Sequence, residues 1–118
     1  MDKQEIFNKA FLGLKSQGFN QSITDTKKCV YRGPDGMKCA IGHIIPDELY
    51  KKNWDVKAKT VDFLPNALWK KLGIDWLSNN MYQFLMALQR IHDNCRNPEL
   101  MEARYREFAR ENNLSVPE

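Results

Sequence analysis

Leu77, Met81, Phe84, Leu85, Leu88, His92 and Cys95 step along the chain by four, three, one, three, four and three residues. Only a helix puts such a series on one stripe, so the spacing predicts an amphipathic helix of about 20 residues. Asp75 is positioned to cap its start, because a short side-chain oxygen satisfies first-turn N–H groups. An apolar stripe of this length has to be covered by the rest of the chain. The fold class expected is therefore mainly α (α+β): three to four helices around a central core helix, with one small β-hairpin at about residues 29–40. Leu77, Met81, Phe84, Leu85 and Leu88 are expected to be buried.

The covering elements carry their own signals. Asp2 and Glu5 form a capping-box pattern, and Ile6, Phe7, Ala10, Phe11 and Leu14 recur at helical spacing until Gly18, which predicts a first helix over residues 3–17. Asn97-Pro98-Glu99 pairs a capping asparagine with proline at the first helical position and opens a last helix to about Asn112. Between them, Cys29-Val30-Tyr31-Arg32 favours a strand, Gly33-Pro34-Asp35-Gly36 favours a turn, and Met37 to Ala40 is expected to return as the second strand. Asp47 to Tyr50 suits a helical turn after Pro46, and residues 51–59 read as an exposed loop anchored by Trp54. Thr60 to Leu72 reads as a short helical region disturbed by Pro65, with Phe63, Leu64, Leu68, Trp69 and Leu72 on its apolar side.

With 118 residues, one domain spanning 1–118 is expected. Hydrophobic residues at 42% and charged ones at 28% exclude a disordered chain. No apolar run is long enough for a membrane helix, and the first residues are too charged for a signal peptide. Three cysteines, an odd number, fit a reducing compartment better than a disulfide framework. A cytoplasmic location is expected. The formal charge is only +3, but residues 27–59 hold eight Lys/Arg against four Asp/Glu, so the whole surplus lies there. That local field suits a small anion and falls short of what long nucleic acid requires.

Three constellations carry chemistry. Cysteine with histidine suggests nucleophilic catalysis, yet Cys29 and Cys39 flank the expected hairpin and Cys95 lies on the apolar stripe, where a thiol is ordinarily a small hydrophobe. No catalytic residue is assigned. Cys29, Cys39, His43, His92 and Cys95 could supply zinc ligands, but Cys29 and Cys39 lack the tight knuckle spacing of zinc ribbons; no metal and no cofactor are expected. The third constellation is an anion or nucleotide site. Arg32 would grip phosphate with its planar fork, Lys38 would add charge, and Tyr31 or Tyr50 would stack on a base. His43 and His92 would orient polar groups, and Asp47 or Asp93 would accept from a base amino group unless they only cap local structure. His92 stands among core residues, so it is either a neutral histidine satisfied by a backbone carbonyl or, with Gln89 and Asp93, a polar end of the helix that locks the hairpin or a ligand beneath it.

The run from Tyr31 to Asp47, YRGPDGMKCAIGHIIPD, with Leu88-Gln89 and His92-Asp93 downstream, resembles a family of small, mostly uncharacterised proteins common in tailed phages and prophages. The resemblance spans most of the chain. The position of His43 is often cysteine in that family, which a metal ligand or a packing site would both tolerate. The resemblance implies a relation to phage anti-defence sponges, which sequester the cyclic dinucleotide signals of bacterial CBASS immunity, bind without cleaving, and assemble as oligomers. A homo-oligomer in the host cytoplasm is the corresponding expectation. Two other classes remain open: an accessory protein that inhibits a host protein, and a small zinc- or cysteine-dependent enzyme.

Overall fold

The computed structural model describes residues 1–118 and is mainly helical. Helix α1 (Lys3–Ser16) forms where the spacing predicts it. The Asp2 carboxylate accepts from the Glu5 N–H at 2.9 Å, and Ile6, Phe7, Ala10, Phe11 and Leu14 are fully buried. Gly18, at φ +69°, follows the helix in the left-handed region, where a residue without Cβ carries no penalty. The last helix, α6 (Pro98–Glu111), starts with the Asn97 side chain accepting from the Leu100 N–H at 3.0 Å.

The central helix, which becomes α5 in chain order, runs Asn79–Asn94 and is shorter than the stripe suggested. Phe84, Leu85, Leu88 and His92 are buried on it and Met81 is half-buried, but Leu77 is 76% exposed. Ser78 is the N-cap in place of Asp75, and Leu77 sits in the preceding turn, closed by Ser78 N–H to Asp75 O. The helical arithmetic does not reach a residue outside the helix. Phe108 of α6 stacks on Phe7 and tilts against Phe84, and the Tyr105 hydroxyl donates to Leu88 O at 2.8 Å, tying α1, α5 and α6 into one core.

No β-hairpin forms. The only bridge is a single antiparallel pair, Ile23 with Cys29. The residues expected to form the first strand direct their N–H groups elsewhere: Val30 N–H goes to Ser22 O, while Tyr31 N–H and Arg32 N–H, in a bend, both donate to the Asp55 carboxylate. With those donors on a side chain, no ladder is left for a second strand to join. Pro34–Gly36 is a 3-10 turn closed by Met37 N–H to Pro34 O, with Gly33 N–H donating to Met37 O across it. The expected return strand instead opens helix α2 (Ala40–Ile44), capped by the Cys39 thiol accepting from the Gly42 N–H at 3.3 Å.

Two glycines let α2 seat. An added Cβ at Gly42 would lie 2.5 Å from Tyr31 O, and one at Gly13 of α1 would lie 2.3 Å from the Cγ and Nδ1 of His43. Because the His43 ring is in contact through its own Cγ, rotating its far end does not relieve the clash. Gly13→Ala is expected to destabilise the fold by about 1–3 kcal/mol, the range for overpacking a close contact. The Gly13→Ala/His43→Ala double variant should recover most of that loss in urea denaturation; no recovery would mean that the crossing is not what the alanine disturbs.

The middle of the chain is less regular. A turn follows Pro46, with the Leu49 and Tyr50 N–H groups on Pro46 O. The expected lysine-rich loop contains a helical turn, α3 (Asn53–Val56), which buries Trp54 as anticipated. Pro65 separates a 3-10 turn (Val61–Phe63) from α4 (Asn66–Lys71). Leu64, Leu68 and Trp69 are buried there, whereas Phe63 is 69% exposed. No helix is long and apolar enough to cross a membrane.

Candidate functional site

Asp55, on α3, organises the segment that carries the long motif. Its Oδ1 accepts from Tyr31 N–H at 2.7 Å, and its Oδ2 accepts from Arg32 N–H at 3.1 Å and from the Tyr50 hydroxyl. Charge-assisted bonds of this kind are stronger than neutral ones, so one carboxylate pins residues 31, 32 and 50 together. The Tyr31 hydroxyl donates to Lys59 O at 2.7 Å, and burial pushes its pKa well above the ordinary tyrosine value.

Arg32 is committed to the fold. Nη1 donates to Gly42 O at 2.7 Å and Tyr31 O at 3.3 Å; Nη2 donates to Ile45 O at 2.8 Å and Asp47 Oδ1 at 3.2 Å. Its guanidinium lies over the Tyr50 ring, 4.7 Å from the centroid. The fork thus caps the carbonyl end of α2, and only Nε–H lacks an acceptor. Lys38 Nζ shares Asp47 at 3.4 Å, and the Lys38 hydrogen bond and charge, with Arg32 behind them, hold the Asp47 carboxyl below its usual range. His43 faces α1, with Nε2 2.9 Å from Gln17 Oε1. Burial, then the charges of Lys38 and Arg32, lower its pKa to about 4, leaving it neutral at pH 7.

His92, fully buried on α5, accepts the Ser22 N–H at Nε2 (2.9 Å). That fixes the proton on Nδ1, which donates to Asp93 Oδ1 at 2.9 Å. Its partner is thus a backbone N–H and not a carbonyl. Gln89 completes the relay: Oε1 accepts the Ile41 N–H at 2.9 Å and Nε2 donates to the same Asp93 Oδ1 at 3.0 Å. The three polar residues at the end of α5 therefore lock α2 and the Ser22 segment, where a hairpin was expected.

Between these two networks lies a cleft of about 410 Å³, toward the lower end of the ~300–1,000 Å³ typical of small-molecule sites. Tyr31, Trp54, Val61 and Met86 give it an apolar wall, and Asp93 and Asn94 stand on its polar side. Lys28, Lys59 and Arg90 supply cations, none of them in an ion pair; Lys28 Nζ meets only Asp55 O, at 3.2 Å. Of the residues expected to bind a ligand, Tyr31 and Asp93 line this cleft. His92 stands behind it. Arg32, Lys38, Asp47 and Tyr50 gather instead at the end of α2, and His43 points to α1. Lys28 and Lys59 belong to the basic segment that the charge count singled out, and Arg90 sits on the polar side of α5, so charge placement was their only signal. Asp55 had none.

Cys29 and Cys39 also line the cleft. Burial, reinforced for Cys29 by the Asp93 charge, pushes both thiols up to about 12, so neither is a thiolate at neutral pH. Ligand atoms of Cys29, His92 and Asp93 lie within 4.8 Å of one another, a trio different from the zinc sets weighed on the sequence. Both His92 nitrogens are engaged, so metal binding there would break either the Ser22 or the Asp93 bond. The same engagement leaves His92 no nitrogen with which to deprotonate Cys29. Comparison with protein-family models, curated proteins and solved structures finds no match to this chain.

Proposed function

We propose that this protein binds a small anionic nucleotide, a cyclic dinucleotide foremost, and sequesters it without cleaving it, as a phage-type anti-defence sponge in the host cytoplasm. The observation that carries the reading is the cleft itself: unpaired cations from Lys28, Lys59 and Arg90 beside an apolar wall that includes Tyr31. Phosphate belongs with the three cations, and the base with the wall. Retention, as opposed to turnover, is supported by two protonated thiols and a histidine with both nitrogens occupied. Assembly as a homo-oligomer belongs to the same reading.

The test is a thermal-shift screen over cyclic dinucleotides and linear nucleotides. A ligand that binds only the folded state adds about 2.7 kcal/mol at 100 times its Kd, a rise of several degrees in Tm. Arg90→Ala and Lys59→Ala should each weaken the shifted ligand about tenfold, the value of one charge-assisted contact. The absence of any shift across the panel, or an effect of equal size from every anion including inorganic phosphate, would overturn the reading.

A further inference from the structure

Building on the nucleotide reading, we infer that Asp93 selects the base, by accepting a hydrogen bond from an exocyclic amino group. The case rests on how the carboxylate is held. Asp93 stands on the last turn of α5 at the wall of the cleft, its side chain 38% exposed. Two protein donors, His92 Nδ1–H and Gln89 Nε2–H, converge on one of its oxygens, Oδ1. Each of these donors is itself fixed at its other end, His92 by Ser22 N–H and Gln89 by Ile41 N–H. The orientation of the carboxylate is therefore determined by four groups drawn from three separate parts of the chain. No N–H or O–H group of the protein donates to Oδ2, and the one other protein donor at the carboxylate is the Cys29 thiol, a weak S–H donor that a ligand amino group would displace.

An ionised carboxylate is acceptor-only. Beside cations that draw phosphate into the cleft, it repels the anionic part of a nucleotide and rewards the part that donates. In adenine and guanine that part includes an exocyclic amino group; hypoxanthine lacks the amino group and donates only through its ring N1–H. A base without the amino group loses one charge-assisted contact at this position, worth about tenfold in affinity. His92 and Gln89 then act as positioning residues, and Asp93 as the group that touches the ligand.

Calorimetry with cyclic di-AMP, cyclic di-GMP and cyclic di-IMP tests this on the native protein. At least one amino-bearing ligand should bind at least about tenfold more tightly than cyclic di-IMP, one missing contact being worth about that factor. Asp93→Asn retains Oδ1 for His92 and Gln89 and turns the second oxygen into a donor, so it should erase or reverse that preference while the Tm of the free protein changes little. Binding of all three ligands with equal affinity, or a preference unchanged in Asp93→Asn, would overturn the assignment of Asp93 and leave nucleotide binding standing. Failure of all three to bind would refute the assignment of Asp93, and the nucleotide reading falls with it only if the wider thermal-shift panel also shows no ligand. If Asp93→Asn does not fold, the native preference alone still decides: equal affinities refute the inference.

Discussion

Replacing Asp55 by alanine is expected to lower the unfolding free energy by about 2–4 kcal/mol, the scale of losing several charge-assisted hydrogen bonds at a half-buried carboxylate. Three donors depend on this carboxylate: Tyr31 N–H, Arg32 N–H and the Tyr50 hydroxyl. Alanine would leave them unpaired in a partly buried site, at about 1–3 kcal/mol for each group that water cannot reach. The same change would release the segment that presents Arg32 to the carbonyl end of α2 and Tyr31 to the cleft. Asp55→Asn retains an acceptor and should lose roughly half as much. Urea denaturation of the two variants checks this; an Asp55→Ala protein as stable as the native one would mean that the Tyr31–Arg32 segment is held by other contacts.

His92→Phe should lower stability by about 2–4 kcal/mol, since a larger and wholly apolar ring leaves the polar partners of the imidazole unpaired. The native ring satisfies Ser22 N–H on one side and Asp93 on the other, and phenylalanine offers neither a donor nor an acceptor. The local signature is more telling than the global one. Amide hydrogen exchange at Ser22 should accelerate far more than at Leu85 on the same core, since only Ser22 loses its acceptor. Equal protection at Ser22 in both proteins would contradict the placement of the imidazole.

The helices α1 and α6 and the middle of α5 were legible in the sequence because local signals and burial agree there. Asp2 and Asn97 cap as their positions suggest, and the apolar spacing of Ile6 to Leu14 maps directly onto the buried face. The hairpin was not legible, because Cys29 to Arg32 has strand-like propensity, but Cys29 and Val30 pair with the Ser22–Ile23 segment before them while Tyr31 and Arg32 bend and donate to a carboxylate more than 20 residues away. Propensity reports the backbone conformation and says nothing of where the N–H groups go. The same limit explains Arg32: a planar fork beside a glycine turn reads as a phosphate ligand, whereas the fold directs it to the carbonyls of Gly42 and Ile45. Leu77 and Phe63 follow from misplaced boundaries, at Ser78 and Pro65, that the apolar pattern alone does not mark. In the cleft, Tyr31 and Asp93 were picked out by type, while Lys28, Lys59 and Arg90 become a set only once three distant segments are brought together.

The central claim is that the cleft holds a nucleotide and returns it unchanged. Equilibrium dialysis of the native protein against a mixed panel of cyclic dinucleotides, followed by denaturation and chromatography of whatever is retained, tests both halves together. The account predicts one retained species in a fixed ratio to protein, recovered intact, and its loss in the Lys28→Ala/Lys59→Ala/Arg90→Ala variant. Retention of nothing, or recovery of a linearised or hydrolysed product, would contradict it.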